Sequence, residues 1–128
     1  MFEEDWMKRF QEAWNAEPAL AGALQQINFN SVIAYGFENE PQPTGVITVE
    51  NGHVVSAGAY NGEALNWDLR ASADNWAKWA SKPPGMMGLG VAYTTGKLKF
   101  LVGDYGAMIK DPRMAGPFIK SFAAMAKA

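Results

Sequence analysis

The stretch "GKLKFLVGDYGAMIK" (residues 96–110) joins a strand pattern directly to a helix pattern. Its first half places apolar side chains at every second position, namely at Leu98, Phe100 and Val102. This period of two predicts a strand with one apolar face. After a break at Gly103-Asp104, residues 105–110 carry apolar side chains at helical spacing. The apolar face of the strand must therefore be covered, either by an ordinary core or by a cavity that holds a ligand.

Upstream of this stretch the sequence predicts two helices and then several strands. Residues 2–16 are amphipathic at helical spacing, and Pro18 starts a second, shorter helix. The pair Asn51-Gly52 lies between two β-branched runs, which predicts a two-residue hairpin turn because both positions need positive φ. Residues 31–38 and 64–71 alternate as well, so these strands are expected to be antiparallel neighbours with one solvated face. Asp68 is expected on that solvated face, where it could pair with Arg70 or with another neighbour.

Between and beyond the strands, further helices complete the pattern. Ser72 predicts the N-cap of a helix. Residues 85–96 are apolar but interrupted by glycines, so neither a regular helix nor a regular strand is expected there. Near the carboxyl end Asp111-Pro112 can start one helical turn and Gly116-Pro117 another helix, unless a single helix runs through both. The element order predicts one α+β domain over residues 1–128, with helices packed on one face of the sheet.

The composition excludes several classes of protein. Hydrophobic residues make up 48% and charged residues 19% of the chain, which indicates a globular fold. The net charge of −2 without a basic stripe argues against a nucleic-acid partner. Without cysteine there is no disulfide scaffold and no thiol chemistry. No apolar run is long enough to span a bilayer and no secretory signal is evident, so we expect a cytoplasmic protein without stable membrane insertion.

Residues that could carry chemistry are sparse. His53 is the only histidine, and its place beside the hairpin turn predicts a solvated side chain. The glycines of "GMMGLG" (residues 85–90) lack the Lys-Ser/Thr ending of a phosphate-binding loop. No metal-ligand spacing, nucleophile motif or cofactor motif is present. The sequence therefore predicts a binding protein rather than an enzyme, with no metal and no cofactor.

Short motifs in a fixed order give the chain a family resemblance. The stretch 96–110 resembles the end of sterol carrier protein 2 domains, where a Gly-Lys-Leu-Lys strand precedes Gly with Asn or Asp and a short apolar helix ending near Lys. The residues that match in order are Gly96, Lys97, Leu98, Lys99, Gly103, Asp104 and Lys110. Residues 66–100 and the hairpin at Asn51-Gly52 are similar to the family too, so the resemblance covers essentially the whole chain. Asp111-Pro112 departs from it, because the family tends to have an apolar residue there.

The resemblance implies a twisted, mostly antiparallel five-stranded sheet with helices on one face and an apolar tunnel between them. Fatty acids, acyl-CoA, phospholipids or sterols would bind in the tunnel, and the carboxyl-terminal helix would border its mouth. Lys97, Lys99 and Lys110 could attract an anionic head group. Ordinary core packing is the alternative for each candidate ligand-binding residue: Met86, Met87, Leu89, Leu98, Phe100, Val102, Tyr105, Met108, Ile109, Met114, Phe118, Phe122 and Met125.

Two functions follow from this reading, and a third is weaker. The first is binding, and transfer, of a lipid or other amphiphilic small molecule, with transient membrane contact. The second is an interaction module of the same fold, with a collapsed tunnel, that dimerises or supports a partner enzyme. A small hydrolase or isomerase acting on lipids would need an inward polar group, for which the candidates are Asp68, Tyr93 and Tyr105. The sequence leaves the lipid and the homodimer open.

Overall fold

Five strands form one sheet, and six α-helices are arranged around it in a computed structural model that describes all 128 residues. The strands are β1 (Ser31–Phe37), β2 (Gly45–Glu50), β3 (His53–Ala59), β4 (Trp67–Ala71) and β5 (Lys99–Val102). The helices are α1 (Glu4–Asn15), α2 (Ala23–Gln26), α3 (Ala73–Ser81), α4 (Met86–Thr94), α5 (Tyr105–Lys110) and α6 (Pro112–Ala126), and a π-helical turn (Pro18–Gly22) leads into α2. None of the helices combines the length and the apolar character that crossing a bilayer requires.

The sheet has the order β3-β2-β1-β4-β5, and three of its four pairings are antiparallel. The mostly antiparallel sheet that was predicted is confirmed. The exception is the central pair, where β4 runs parallel to β1 with Ile33 opposite Trp67 and Tyr35 opposite Leu69. Side-chain alternation carries no information about strand direction, so the expectation of antiparallel neighbours was wrong for this pair.

The hairpin and the first helix together close one edge of the sheet. Asn51 and Gly52 have φ angles of 50° and 86°, which confirms the predicted turn. Helix α1 lies over β3, and the Asn15 side chain donates to the carbonyl oxygen of Val54 (2.9 Å) and accepts from its amide nitrogen (2.8 Å). These bonds occupy backbone groups of an edge strand that would otherwise be free to pair with another chain.

The helices of the second half differ from the sequence pattern at residues 86–94, where the prediction was wrong, and form a continuous last helix, which the sequence had left open. Residues 86–94 form the regular helix α4, because Leu89 and Ala92 are buried against the core and that packing outweighs a glycine penalty of about 1 kcal/mol per residue. Residues 112–126 form one helix, α6, with Pro117 inside it rather than a second start. Pro117 is itself buried, so packing offsets the backbone hydrogen bond that proline cannot donate.

The sheet face opposite the helices is less solvated than alternation predicts. Arg70 and Asp68 do pair, with Nε donating to Oδ1 at 2.7 Å and Nη2 to Oδ2 at 3.1 Å. Both side chains are nonetheless buried, because residues 38–44 fold over them and the carbonyl oxygen of Glu40 accepts a further bond from Arg70 at 2.8 Å. The buried ion pair therefore holds Arg70 in position to bind this loop to β4.

Candidate functional site

An apolar cavity of about 50 Å³ lies between the sheet and the helices. Twelve of its fourteen lining residues are hydrophobic. They are Trp14, Leu20, Leu24, Phe29, Ile33, Tyr35, Trp67, Leu69, Phe100, Met108, Met114, Pro117, Phe118 and Ser121. A cavity of about 150 Å³ is enough to hold benzene, so this one is far too small for a lipid chain unless its walls move.

The floor of the cavity depends on the parallel pairing of β1 and β4. That register sets Ile33 beside Trp67 and Tyr35 beside Leu69, and all four side chains line the cavity. Phe100 of β5 pairs opposite Leu69 and extends the same floor. The apolar side chains of these three strands thus form one continuous surface.

Aromatic rings form the wall on the β5 side. Phe100 lies 5.4 Å from Tyr105 and 5.9 Å from Phe118, measured between ring centroids. Phe118 in turn meets Phe122 at 5.4 Å, edge to face. Behind this wall Tyr105 stacks on Tyr93 at 4.0 Å, so the cluster of rings joins α4, α5, β5 and α6. Rings in such pairs prefer defined geometries, which orients Phe100 and Phe118 at the cavity.

An open cleft adjoins the cavity. The cleft and the cavity share four lining residues, Phe29, Trp67, Met108 and Met114. The rest of the cleft is mostly polar or small: Asn30, Ser31, Asn66, Gly103, Asp104, Ala107 and Asp111. The site is therefore amphipathic, with an oily interior and a polar mouth, which is the arrangement that an amphiphile needs.

One polar group at the mouth has no partner. Ser31 is 5% exposed, and its Oγ is the one buried side-chain oxygen or nitrogen without a hydrogen bond. Because Ser31 has the same strand parity as Ile33 and Tyr35, it lies on the cavity face of β1. A buried hydroxyl without a partner costs roughly 1–3 kcal/mol, so this group is unusual in a folded domain.

The thirteen predicted ligand-binding residues fall into three sets. Four of them line the cavity: Phe100, Met108, Met114 and Phe118. Six are packed elsewhere, buried or half-buried: Leu89, Leu98, Tyr105, Ile109, Phe122 and Met125. Three lie on the surface, with exposed fractions of 46% for Met86, 84% for Met87 and 39% for Val102. The surface positions follow from the helical geometry of α4 and from the position of β5 at the edge of the sheet.

Most of the remaining lining was missed by the sequence reasoning. Two of the predicted strands contribute four of these residues, namely Ile33, Tyr35, Trp67 and Leu69. Their alternation predicts an apolar face on each strand, but it does not predict the parallel pairing that joins the two strands. Trp14, Leu20 and Leu24 belong to apolar helix faces and carry no signal that separates a cavity wall from a core. Pattern alone identifies the buried face; the gap left within it depends on tertiary packing.

The expected basic residues are not at the site. Lys97, Lys99 and Lys110 line neither the cavity nor the cleft. Lys99 instead lies 3.5 Å from the carboxylate of Glu38. The charged side chains that do line the cleft are the carboxylates of Asp104 and Asp111. The mouth therefore has the opposite charge from the one that an anionic head group would require.

The polar candidates for lipid-directed chemistry are also poorly placed. Asp68 is buried in its ion pair with Arg70, on the sheet face away from the cavity. Burial raises the pKa of Tyr105, and the neighbouring Tyr93 adds to the shift, so the Tyr105 phenol stays protonated and is a poor base. Tyr93 lies outside the cavity lining. The residues described offer no acid–base pair aimed at the cavity.

Neither a family model nor a curated protein matches the sequence. Several solved structures, in contrast, have a similar fold. A crystal structure of sterol carrier protein 2 superposes with a TM-score of 0.80 at 17% identity, covering 100% of this chain and 98% of that one. At such low identity the superposition shows the fold alone; it confirms the predicted α+β class, while the predicted tunnel stays a prediction.

Two further structures show how the fold is used elsewhere. UbiJ-SCP2, a ubiquinone synthesis protein, gives a TM-score of 0.60 at 12% identity and covers 93% of this chain and 86% of its own. The palmitated SCP2L2 of Aedes aegypti gives a TM-score of 0.51 at 14% identity, and the match covers 88% of this chain and 92% of that chain. One protein of this fold is thus palmitated, and another is a ubiquinone synthesis protein.

Proposed function

Because the chain has the fold of sterol carrier protein 2, we propose that it binds the hydrocarbon part of a lipid between its sheet and helices and carries that lipid between membranes. The observation that supports this proposal is that the apolar cavity and the open cleft adjoin, since both are lined by Phe29, Trp67, Met108 and Met114. A palmitated protein of the same fold is consistent with it. Contact with membranes would be transient, during loading and release.

Binding requires the cavity to open. Each methylene that leaves water contributes about 0.8 kcal/mol, so a chain of about twelve gives on the order of 10 kcal/mol before losses of motion are subtracted. Met108 and Met114 are unbranched and can change rotamer at little cost. Phe118 is only half-buried, so its ring has room to swing outward. These three side chains are the proposed movable wall.

The test is a fluorescence titration with a single-chain amphiphile, followed by native mass spectrometry. Trp14 and Trp67 both line the cavity, so their emission should change on binding. Phe100→Asp places a charge in the cavity wall and should abolish binding. Leu101→Asp is the matched control, because Leu101 is the next residue, 59% exposed, and outside the cavity lining.

The outcomes separate clearly. Saturable binding by the wild type and by Leu101→Asp, with none by a folded Phe100→Asp, supports the proposal. Equal binding by the two variants would place the ligand elsewhere. No binding of any amphiphile by the wild type would overturn it.

A second function has its own support. The cavity volume of about 50 Å³ fits an interaction module whose tunnel has collapsed, and UbiJ-SCP2 shows this fold in a biosynthetic protein. In that case native mass spectrometry would find a dimer or a complex without any lipid, and Phe100→Asp would affect stability alone.

A further inference from the structure

The unpartnered hydroxyl of Ser31 lies where a bound lipid would place its head group. Ser31 lines the cleft together with Phe29 and Trp67, which also border the cavity, so a chain inserted into the cavity must pass close to it. Its Oγ is buried and has no hydrogen-bond partner. A ligand atom that bonds to this hydroxyl would satisfy a group that the protein leaves unsatisfied.

The other polar side chains of the cleft are held in place. Asn66 Oδ1 accepts from the Val32 amide at 2.8 Å, which leaves its amide NH₂ group without a partner within the chain. Asn30 Oδ1 accepts from the Asn51 amide at 2.9 Å. The cleft thus presents uncharged groups in fixed positions next to the unpartnered hydroxyl.

The charges of the cleft disfavour an anion. Asp111 is bonded to Arg113, with Nη2 donating to Oδ2 at 3.0 Å, and this partner holds the pKa of the Asp111 carboxyl below its usual range. Asp104 has no cation paired with it; its Oδ1 accepts from the Ala107 amide at 3.0 Å as the N-cap of α5. No lysine or arginine lines the cleft. A carboxylate or phosphate would therefore meet an uncompensated negative charge.

From this we propose that the mouth recognises an uncharged, hydroxyl-bearing head group, such as that of a long-chain alcohol or a monoacylglycerol, in preference to a fatty-acid anion. The head-group oxygen would accept from Ser31 or Asn66, and its hydroxyl would donate to Asp104. This inference rests on the proposed lipid-binding function. It distinguishes this chain from the palmitated protein of the same fold, whose ligand is a fatty acid.

The experiment compares 1-dodecanol with dodecanoate at pH 8 by tryptophan fluorescence. The wild type should bind the alcohol about tenfold more tightly, the ratio expected for one net hydrogen bond. Ser31→Ala should weaken alcohol binding about fivefold while leaving resistance to urea unchanged or higher, because the variant removes an unsatisfied group. A residue with a merely structural role would lower that resistance instead.

Two asparagine variants test the charge. Asp104→Asn keeps an N-cap residue and a hydrogen-bond acceptor, so it should tighten dodecanoate binding and weaken dodecanol binding slightly, which narrows the preference for the alcohol. Asp111→Asn is the matched control, because that carboxylate is already paired, and it should change the selectivity less. Equal affinities for both amphiphiles in the wild type would overturn this inference alone, whereas a failure to bind either would overturn the lipid-binding proposal.

A separate observation concerns α4, whose outward face is apolar. Six of the seven exposed large hydrophobic residues of the chain lie within residues 86–102. On α4, Met86 is 46%, Met87 84% and Val91 53% exposed, while Leu89 and Ala92 on the other side are buried. The helix carries no charged residue. A helix that is apolar all round is normally buried, so one exposed side indicates that something covers it.

The charge around α4 identifies the kind of partner. Between Asp74 and Asp104 the only charged residues are four exposed lysines, Lys78, Lys82, Lys97 and Lys99. The rest of the chain holds seven basic and thirteen acidic residues, so this segment is positive on an otherwise acidic protein. Lys82 and Lys97 flank the two ends of α4 in the sequence, whereas Lys99 is paired with Glu38, so a second copy of the same face would bring the charges of Lys82 and Lys97 together and be repelled. An anionic bilayer matches both features, since it takes up apolar side chains and attracts lysine.

We infer that the outward face of α4 docks on the surface of an anionic membrane. Tyr93 of α4 stacks on Tyr105 of α5 at 4.0 Å, and Met108 of α5 lines the cavity. The docking face is thereby connected to the mouth through one ring pair, so a lipid could pass between membrane and cavity over a short path.

Vesicle flotation tests this inference, with phosphatidylcholine alone compared with a mixture containing phosphatidylglycerol. The wild type should bind the anionic vesicles, and salt should release it. Met87→Ser with Val91→Ser should weaken binding at least about fivefold, and Lys82→Glu with Lys97→Glu should do the same. The controls are Val55→Ser, an equally exposed apolar residue on β3, and Lys120→Glu on α6; neither should matter.

The contrary results are specific. Equal binding to neutral and anionic vesicles, or an equal loss in the control variants, would overturn the membrane assignment. Absence of vesicle binding would do so too, and would leave an acidic protein as the alternative partner to be sought for this face.

Discussion

On the face of the sheet that the helices cover, the hairpin side and the β5 side are packed very differently. On the hairpin side, meaning α1 with β1–β3, Phe2 and Phe10 have no exposed surface, and Tyr35 meets both rings within 6 Å. On the β5 side, meaning β5 with α5 and α6, Phe100 and Phe118 are only half-buried, and the cavity and cleft lie beside them. The first side stabilises the fold, and the second keeps the space in which a ligand could bind.

The surroundings of two glycines show the same difference in packing. Gly52 and Gly96 both have positive φ, at 86° and 75°. A Cβ on Gly52 would stand 2.4 Å from the Gln25 backbone nitrogen, whereas a Cβ on Gly96 would meet nothing within 4 Å. Neighbouring backbone atoms therefore pack tightly around the hairpin turn, whereas the connection into β5 has free space around it.

The sharpest way to break this comparison is to remove one ring from each side. Phe10→Ala should lower the free energy of unfolding by about 3–5 kcal/mol, because the ring is fully buried and its space cannot collapse. Phe118→Ala should cost clearly less, about 1–2 kcal/mol, since part of its surface already faces water and a cavity adjoins it. Urea unfolding measures both. Equal losses would mean that the β5 side is packed as tightly as the hairpin side.

A smaller effect is expected from the glycine pair. Gly96→Ala should cost about 1–2 kcal/mol from left-handed strain alone. Gly52→Ala adds an overlap with backbone atoms to the same strain, so its loss should be at least about twice as large. The left-handed strain is common to both variants, so the difference between their stability losses measures the cost of the atomic overlap. Similar thermal midpoints for both would contradict the contrast.

The smallest effect concerns pH. Burial raises the pKa of Tyr35 well above its ordinary value near 10, so the folded state keeps a proton that the unfolded state releases. Stability from this group is complete below pH 10 and falls above it, by up to about 1.4 kcal/mol per pH unit. Tyr35→Phe should flatten the fall between pH 10 and 11 in urea titrations.

The control for this measurement is Tyr60→Phe. Tyr60 lies in the exposed connection after β3, and the variant should leave the alkaline slope unchanged. A slope that is the same in wild type and Tyr35→Phe would show that Tyr35 is not sealed from water, and would remove one argument for the tight hairpin side.

Local signals predicted those parts of the molecule that depend on neighbours in sequence. The Asn51-Gly52 turn, the Ser72 cap and the amphipathic first helix all form as expected, with Ser72 Oγ accepting from the Asn75 amide at 3.1 Å. Helix α4 was missed because its glycines lower helix propensity, and burial of Leu89 and Ala92 outweighs that preference. For the same reason α6 does not break at Pro117.

The sequence by itself determined which side chains are apolar on each strand and helix, because the periods of 2 and 3.6 are properties of single elements. It could not determine that β4 runs parallel to β1, since direction depends on how a distant connection crosses the sheet. That pairing assembles the floor of the cavity, and how completely the cavity is filled depends on the volumes of side chains from eight different elements. Only the tertiary structure could therefore show that Ser31, an ordinary strand residue in the sequence, is a buried hydroxyl without a partner at the mouth.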